Sequence, residues 1–449
     1  MNTMKAVRKS FFSYFRSIRL LSVRRLTTNL APSLEAKEGG TMNYPPKSIS
    51  VAGDKKSMTV HWSHRPPTSY HAVWLRYQCW CPDCRTIADE ATFYNPCQLL
   101  PNYTIDEALE KDGYLHLKWK EKEQGRSHSS KLPLWFLEKH AYWGEGRTVI
   151  PKEYKWEALK HPVPVEYKDF ISSDEVVFEF MKTAASGQLA LLKNVPPVSG
   201  KSEEVGLKMS EHIFRYHYGP VEEVKSDPPE IAHNVGNLTM ELPLHMDHQW
   251  RESPPGYLSF HCLTFDKQVQ GGESVFLNAF YEAELFRKEY PAEFDVLSKV
   301  PAAFHLNVVD ENLPGPVPYS YSRPHITLNS LGHITGVSWA PDLHGPVAVN
   351  PELVQPYYEA YNKFAKFVES SPRALEVASE PGDLVLLSNR AVFHARNAFE
   401  LNGGMRHLQT IYIGVLEFRR QLAKLAVKLG RSLPPITFGD QDEQNIQFC

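Results

Sequence analysis

The sequence predicts a mainly β protein with flanking helices, arranged as a β-sandwich or jelly roll. Short apolar and β-branched runs recur beyond residue 230 and are separated by turn residues. Few segments have the spacing of an amphipathic helix. Many short strands with few helices are typical of packed β-sheets. The runs are GYLSFHCL, ESVFLNAF, HITLNS, DLVLLSN and RHLQTIYIGV.

Two helices are expected beside these strands. Ser172 and Glu175 form a capping-box pattern at the start of a helix through VVFEFMKTAAS, and Gly187 is placed to end that helix. The second helix carries aromatic and apolar residues at helical spacing. Those residues are Tyr357, Tyr361, Phe364 and Val368.

The length of the chain predicts about two domains with tails, because 449 residues exceed the usual size of one domain. A hydrophobic content of 42% is enough to bury a sizeable core. Polar stretches rich in Pro and Gly mark the boundaries. The expected segments are a leader (1–34), a linker (35–50), an N-terminal β domain (51–145), a larger β-rich domain (165–425) and a C-terminal tail (426–449).

The charge of the chain excludes one class of partner. Lys and Arg number 49 against 52 Asp and Glu, for a formal net charge of −3. A nucleic-acid-binding surface normally needs a clear basic excess, so no nucleic-acid partner is expected. The sequence also has no long uncharged apolar run, and no transmembrane segment is expected.

The first 34 residues have the composition of a mitochondrial transit peptide. They contain several Lys and Arg and no acidic residue before Glu35. Apolar residues with serines between them can form one face of a helix, as in such a leader. We therefore expect import into the mitochondrial matrix; the alternative is a disordered basic tail on a cytoplasmic protein. The apolar residues are Phe11, Phe12, Phe15, Ile18 and Leu21.

Three side chains form a candidate iron site. In an extended PLHMDHQW segment, His245 and Asp247 point to the same face. His394 follows far downstream among apolar neighbours, where a single histidine is more often a core residue. Together the three complete a two-histidine, one-carboxylate set, which leaves one face of Fe(II) open.

Arg406 is the candidate anchor for an anion. It follows His394 by twelve positions and opens an apolar strand. Burying an arginine there is costly unless an anion pairs with it, and a guanidinium can hold a carboxylate bidentately. The distal carboxylate of 2-oxoglutarate is such an anion. A salt bridge within the protein and a solvent-facing arginine are the alternatives.

These motifs resemble the γ-butyrobetaine dioxygenase and trimethyllysine dioxygenase family, within the taurine-dioxygenase-like 2-oxoglutarate oxygenases. The resemblance covers roughly residues 55–425. The matching stretches include LPLHMDHQWRESPPGYLSFHCL, GGESVFLNAFYEAE, PGDLVLLSNRAVFHARNAF, RHLQ and VWLRYQCWCPDC.

The resemblance implies a double-stranded β-helix catalytic domain behind a small zinc-binding β domain. It implies that His245, Asp247 and His394 bind iron and that Arg406 binds 2-oxoglutarate. Phe260 and Ser274 match positions beside 2-oxoglutarate, although either can equally be an ordinary strand residue. Ascorbate as reductant, O2 as co-substrate and a homodimeric assembly are also expected from relatives.

A cysteine cluster predicts a structural zinc site. Cys79, Cys81 and Cys84 lie within six residues of a chain with only six cysteines, which favours a metal site over a disulfide framework. Zinc needs a fourth ligand. The family position favours His128, with His116 and Cys97 as competitors. The alternative is three free or oxidised thiols.

The expected reaction is hydroxylation of an unactivated carbon in a small quaternary-ammonium substrate, as in carnitine biosynthesis. The family holds that cation in an aromatic cage. Alignment with the family places Tyr218 and Asn234 at substrate positions. At other cage positions it places Glu222, Asn237 and His248, and Trp250 could supply a shifted aromatic. The cage is therefore altered, and a glutamate could pair with the cation instead.

Three alternative functions remain open from the sequence. The first is trimethyllysine rather than γ-butyrobetaine hydroxylation, or the same chemistry on another small substrate. The second is a zinc-stabilised pseudoenzyme that only binds a partner, although such a protein would not need the iron triad and Arg406. The third, a cupin-like metal-binding storage or sensor domain, fits a jelly roll but not the order of the motifs.

Overall fold

The fold was analysed in a computed structural model, which describes residues 46–86, 91–92, 94–140, 156–216, 219–226, 235–308, 315–329 and 332–433. The chain divides into two compact units, Met1–Lys152 and Glu153–Cys449. The predicted leader, most of the linker and residues 434–449 of the predicted tail lie outside the described residues. No described helix is long and apolar enough to cross a membrane.

The first unit contains two three-stranded antiparallel sheets, in the orders β1-β2-β3 and β4-β5-β6. Alternation along β5 buries Leu115, Leu117 and Trp119 on one face, as expected for a half-buried strand. Strand β1 begins at Ser48, so the predicted linker ends earlier than expected. The elements are β1 (Ser48–Val51), β2 (Ser57–His61), β3 (Thr68–His71), α1 (Ala72–Tyr77), a 3₁₀ turn (Pro96–Gln98), β4 (Ile105–Lys111), β5 (Tyr114–Glu123), β6 (Arg126–Pro133) and α2 (Leu134–Lys139).

The first half of the second unit starts with strand β7 and ends with two consecutive helices. Its elements are β7 (Pro164–Glu166), α3 (Tyr167–Ser172), α4 (Asp174–Ala185), β8 (Ala190–Lys193), α5 (Lys201–Met209), β9 (Glu222–Lys225), a 3₁₀ turn (Val235–Asn237), β10 (Leu242–His245), β11 (Tyr257–Phe265), β12 (Gln270–Gly271), β13 (Ser274–Asn278), α6 (Ala279–Glu289) and α7 (Pro291–Lys299).

The second half adds most of the remaining strands and two long helices. Its elements are β14 (Pro301–Val308), β15 (Val317–Pro324), β16 (Ile326–Leu328), β17 (Ile334–Val337), a 3₁₀ turn (Pro341–Leu343), α8 (Pro351–Glu369), β18 (Leu375–Val377), β19 (Leu384–Ser388), β20 (Val392–Arg396), β21 (Phe399–Glu400), β22 (Arg406–Ile413) and α9 (Val415–Leu429).

Two larger sheets organise this unit. One has six strands in the order β7-β8-β19-β11-β22-β9, and the other has four in the order β10-β20-β13-β18. All five residues of β19 are buried, because this strand lies in the middle of the larger sheet. The remaining strands form two-stranded pairs. The fold is thus mostly β with helices, as the sequence predicts.

The helices follow the sequence signals with small corrections. In α8 the buried residues are Tyr357, Ala360, Phe364 and Val368, so the predicted stripe is largely confirmed. Ser173, not Ser172, caps α4, because its side chain accepts a hydrogen bond from the Val176 amide. The stop after α4 has Gly187 at φ 75°, a conformation that favours glycine.

The end of the larger domain also differs from the prediction. Helix α9 continues to Leu429, four residues past the expected boundary, and buries Phe418, Leu422, Leu425 and Ala426. Gly430 then adopts a left-handed conformation and ends the helix. The apolar face of α9 belongs to the core of the second unit, so the first residues of the predicted tail are part of the fold.

Candidate active site

The two histidines of the predicted iron site face each other across neighbouring strands. His245 ends β10, His394 lies in β20, and the antiparallel register pairs these two residues directly. Their ring centroids are 4.1 Å apart, and both side chains are buried. Nδ1 of His245 lies 2.8 Å from the Pro243 carbonyl and donates to it, which leaves Nε2 free to bind a metal.

Asp247 completes the cluster from the turn after β10. Its Oδ1 lies 3.4 Å from Nε2 of His245 and 3.5 Å from Nε2 of His394. One ligand atom from each of the three residues lies within 4.8 Å of the others. Asn389 fixes the Asp247 backbone, because its side chain accepts from the Asp247 amide at 2.9 Å and donates to the carbonyl at 3.0 Å.

The electrostatics of the cluster keep the carboxylate charged. Burial alone would raise the pKa of Asp247, but the two histidines outweigh it and hold that pKa well below its usual range. Burial lowers the pKa of His394, and the charge of His245 lowers it further. Asp247 and His394 thus have the protonation states that a divalent metal requires. Burial alone would lower the pKa of His245, but its bond with Asp247 outweighs burial and raises that pKa, so a metal would compete with a proton for this imidazole.

Tyr412 connects this cluster to a second carboxylate. Its hydroxyl lies 3.0 Å from Oδ2 of Asp247 and 2.7 Å from Oε2 of Glu222. The hydroxyl has a single hydrogen, so it donates fully to only one of the two oxygens at a time. Glu222, in strand β9, is therefore one phenol group away from the metal-binding cluster.

Arg406 is a buried cation with few partners. It is 5% exposed, and its Nη2 donates to the Gly272 carbonyl at 3.1 Å. Its Nε has no acceptor, and among the described residues no carboxylate forms an ion pair with it. Burial, and then repulsion from Arg396, lowers the pKa of Arg406 to about 10, so the guanidinium stays charged near neutral pH. A buried, charged and unsatisfied donor suits an anionic ligand.

Gly272 packs closely against this guanidinium. It has φ +82°, and a Cβ at this position would lie 3.2 Å from Nε of Arg406. Phe260 packs beside the cluster, with its ring 5.3 Å from that of His394. Ser274 pairs with Arg396 in the β13–β20 register, and strand alternation places it on the same face as His394.

The cysteine cluster in the first unit brings together four side chains that can bind a metal. Nε2 of His128 lies 3.4 Å from Sγ of Cys79, 3.8 Å from Sγ of Cys81 and 3.6 Å from Sγ of Cys84. Zinc bond lengths in a tetrahedron place sulfur and nitrogen ligands about 3.6 Å apart. The four-residue cluster contains His128 and neither of its competitors, His116 and Cys97.

Arg76 is a buried partner of this cluster. Its Nη1 lies 3.4 Å from Sγ of Cys84, and its Nε and Nη2 donate to Glu123 at 2.6 and 2.7 Å. Three thiolates with a neutral histidine would give zinc a net charge of −1, and a guanidinium at this distance offsets that charge.

Comparison with known proteins identifies the family of the chain. The model of the "Taurine catabolism dioxygenase TauD, TfdA family" matches residues 153–412, which is more than half of the chain. The chain belongs to this dioxygenase family. A second model, "Gamma-butyrobetaine hydroxylase-like, N-terminal", matches residues 49–135.

Individual relatives are similar over most of their length. Gamma-butyrobetaine dioxygenase of Pseudomonas sp. (strain AK-1) is 27% identical, over 81% of this chain and 92% of its own. The Homo sapiens protein of the same name is 24% identical, over 79% and 90%. Mitochondrial trimethyllysine dioxygenase of Mus musculus is 23% identical, over 80% and 88%. The chain is thus an enzyme of the 2-oxoglutarate-dependent dioxygenase class.

The structure describes some, but not all, of the residues that the sequence predicts at the substrate site. Tyr218 and Asn234 lie outside the described residues. His248 has φ 58° and stacks on Tyr216, with ring centroids 4.3 Å apart. Glu222 lies beside Tyr412 as described above. Trp250 lies 5.8 Å from His248 and 4.8 Å from Tyr319, ring to ring.

Sequence reasoning missed three residues that contact the cluster or its strand. Asn389 and Tyr412 contact Asp247, and Glu369 accepts a hydrogen bond from the Leu244 amide at 3.0 Å. One signal was available for Tyr412: it follows Arg406 by six residues in one strand, so alternation predicts that both point to the same face. Asn389 lies in a turn and Glu369 at the end of a helix, where no alternation of side chains could have predicted their contacts.

Proposed function

We propose that this dioxygenase hydroxylates an unactivated carbon of a small substrate with a cationic group, of the γ-butyrobetaine type. The observation that carries the proposal is the convergence of His245, Asp247 and His394 on one point, with their ligand atoms within 4.8 Å of one another. Two imidazoles and one carboxylate favour Fe(II) with open positions for co-substrates.

The residues around this point fit 2-oxoglutarate as well. Arg406 offers a buried guanidinium with an unsatisfied Nε, and no protein carboxylate among the described residues pairs with it. We infer that Arg406 holds the distal carboxylate, with Phe260 and Ser274 beside it. When bound, iron and 2-oxoglutarate together with O2 supply the oxidising chemistry, from which succinate and CO2 leave; ascorbate would keep the iron reduced.

The protein's own residues position the reactants. The Pro243 carbonyl holds the His245 ring with Nε2 toward the metal, and Asn389 fixes the turn that carries Asp247. Tyr412 donates to the Asp247 oxygen that faces away from the histidines. The two histidines are buried, so a substrate carbon held beside them is positioned to react with little contact with bulk water.

The position of Glu222 supports a cationic substrate. Its Oε2 lies 2.7 Å from the Tyr412 hydroxyl, which also contacts Asp247, and its strand is at the edge of the six-stranded sheet. A carboxylate near the reacting carbon attracts an ammonium group where an aromatic cage is incomplete. γ-Butyrobetaine is the first candidate, since it is the substrate named by the relative with 27% identity, and trimethyllysine is the second.

The cysteine cluster supports a structural zinc ion. Cys79, Cys81, Cys84 and His128 offer four ligands in a closed arrangement with no position for a substrate. We infer that the metal stabilises the first unit, whose two small sheets bury a limited core.

The remaining features of the proposal rest on relatives and composition. We infer that the two sheets of the second unit form a double-stranded β-helix and that the enzyme acts as a homodimer. The basic leader and a mitochondrial relative favour the mitochondrial matrix. A cytoplasmic location is the alternative.

The test is the conversion of 2-oxoglutarate to succinate by the full chain with Fe(II) and ascorbate. We expect γ-butyrobetaine or trimethyllysine to stimulate succinate formation and to gain a hydroxyl group. His245→Ala and Asp247→Ala should lose turnover, while Lys299→Ala, on an exposed helix face, should keep it. Slow succinate formation without stimulation by either compound would assign another substrate. Iron binding without turnover would instead indicate a pseudoenzyme.

A further inference from the structure

We propose that a cleft beside the metal-binding cluster is a carboxylate subsite, in which Arg251 receives the anionic end of the substrate. This inference rests on the proposed function and assigns the other end of the same molecule. The cleft has a volume of about 630 Å³, which is within the usual range for small-molecule sites. Its charged lining residues are Arg215, Arg251 and Glu252, so positive charge is in excess.

Arg251 already occupies the aromatic surface of this cleft. Its guanidinium carbon lies 5.0 Å from the ring centroid of Tyr216, 5.3 Å from that of Trp250 and 5.7 Å from that of Phe214. These rings are the surface that a quaternary ammonium would need. With a protein cation on them, a second cation meets repulsion, so these aromatics do not form an empty cage.

The guanidinium keeps its hydrogen-bond donors available. Within the described parts of the chain, the Arg251 side chain has no hydrogen-bond acceptor and no ion-pair partner. Stacking on a ring uses the face of the guanidinium and leaves its N–H edge free for a bidentate carboxylate. An aromatic-stacked arginine with unused donors is therefore suited to bind an anion.

The backbone that carries Arg251 is held in place. Nη2 of Arg323 donates to the carbonyls of Arg251 and Glu252. The Arg251 amide also donates to the His248 carbonyl at 3.1 Å. These bonds fix the turn that presents the guanidinium, which lowers the entropy lost when a ligand binds.

An aromatic contact joins the lining of the cleft to the metal-binding cluster. Tyr216 lines the cleft and lies 5.2 Å from the ring of Tyr412, the residue whose hydroxyl is 3.0 Å from Asp247. A substrate with its carboxylate on Arg251 can therefore extend along Tyr216 toward the metal. Its cationic group would then lie near Glu222, and the two charges of the substrate would meet opposite charges on the protein.

Binding of three probes tests this assignment without turnover. The probes are γ-butyrobetaine, its methyl ester (which has only the cation) and 5,5-dimethylhexanoate (which has only the anion). Affinities would be measured by calorimetry on the full chain with Mn(II) and 2-oxoglutarate, in the absence of O2. We expect γ-butyrobetaine and 5,5-dimethylhexanoate to bind the wild-type protein more tightly than the methyl ester.

Variants locate the subsite. Arg251→Gln should weaken binding of both carboxylates by about tenfold to hundredfold, the usual range for one charge-assisted pair, and leave the ester within about twofold. Arg251→Lys keeps the charge but not the planar guanidinium, so its affinity for both carboxylates should lie between those of the wild type and Arg251→Gln. The control is Arg420→Gln, because Arg420 lies on the exposed face of α9. This variant should bind the carboxylates and the ester with wild-type affinity.

Other results would overturn the proposal. They are failure of both carboxylates to bind, equal binding of γ-butyrobetaine and its ester, and tighter ester binding by Arg251→Gln with unchanged carboxylate affinity. The last result would mean that the rings form a cation cage once Arg251 leaves. A missing succinate signal in the turnover assay would instead contradict the proposed reaction, since these affinities do not depend on it.

Discussion

The hydroxyl of Tyr412 lies 3.0 Å from Oδ2 of Asp247, a carboxylate that also lies within 3.5 Å of both active-site histidines. Outer partners of this kind orient a metal-binding carboxylate and typically change metal affinity by about 10–100-fold when removed. This contact joins β22, in the larger sheet, to the turn that follows β10. It therefore makes metal binding sensitive to a residue that is not itself a ligand.

Replacing Tyr412 with Phe should weaken metal binding by about 10–100-fold, because Asp247 loses the partner that orients it. Titration with Mn(II), followed by calorimetry or electron paramagnetic resonance, measures this affinity. Tyr358→Phe is a matched control, since Tyr358 is an exposed tyrosine on α8. Unchanged metal affinity in Tyr412→Phe would show that the hydroxyl has no part in orienting Asp247.

Arg406 and Arg396 are both buried arginines, but they should respond differently to replacement. Arg396 donates to three carbonyls, of Gly236, Leu238 and Met240, at 2.6 to 2.7 Å. Arg396→Gln should therefore lower Tm. Arg406→Gln should instead raise the Kd for 2-oxoglutarate by about 10–100-fold, as expected for loss of one charged hydrogen-bonded contact.

The two measurements separate these roles. Calorimetric binding of 2-oxoglutarate gives the Kd, and differential scanning calorimetry gives Tm for the same samples. A 2-oxoglutarate Kd that stays at the wild-type value in Arg406→Gln would exclude Arg406 as the anchor.

Loss of zinc should destabilise the first unit. Cys84→Ser or His128→Ala should reduce the zinc content measured by plasma mass spectrometry and lower Tm, by roughly 4–8 °C for each kcal/mol lost in a domain of this size. Cys97→Ser is the control, because Cys97 is exposed and outside the cluster. Retention of full zinc content by His128→Ala, with loss in His116→Ala, would reverse the assignment of the fourth ligand.

The Arg76–Glu123 pair should make the stability of the first unit depend on pH. Burial alone would raise the pKa of Glu123, but hydrogen bonds from Arg76 and Tyr103 outweigh it, so the pKa is lowered from 4.5. A carboxyl with a lowered folded-state pKa contributes stability that is present above its unfolded pKa. That stability is lost as the pH falls through the folded-state pKa.

Glu123→Gln tests this linkage. At neutral pH it should cost about 3–5 kcal/mol, because Arg76 is left buried without its carboxylate. Below pH 4.5 the gap in unfolding free energy between wild type and variant should narrow. Denaturant unfolding from pH 7 to 3 measures that gap; a constant gap would show that ionised Glu123 contributes nothing through its charge.

The sequence was most informative where chemistry requires a fixed spacing. His245 and Asp247 are two residues apart in an extended segment, and Cys79, Cys81 and Cys84 share one short loop, so local geometry alone brings each set together. His394 and Arg406 could be assigned to the iron site and the 2-oxoglutarate site because both lie in apolar strands, where a buried polar side chain needs a partner. The two-sheet architecture followed from the number of short strands.

Contacts between distant segments could not be predicted in the same way. Glu222 meets Tyr412 across 190 positions because β9 and β22 are neighbours in the larger sheet. No sequence pattern singles out Arg251, and only the packed positions of Tyr216 and Trp250 show that it covers their rings. The capping signal before α4 was correct in type but wrong by one residue, since adjacent serines offer the same hydroxyl.

The shared hydrogen of Tyr412 has a further consequence for how the enzyme loads. A cation that binds Glu222 would draw this carboxylate away from the phenol, and the hydrogen would then be wholly available to Asp247, the metal ligand that it orients. Occupancy of one position would thus strengthen binding at the other, and by reciprocity a bound metal would raise the affinity for the substrate by the same factor. Tyr412 is in this sense a cooperative link between two ligands that never touch each other.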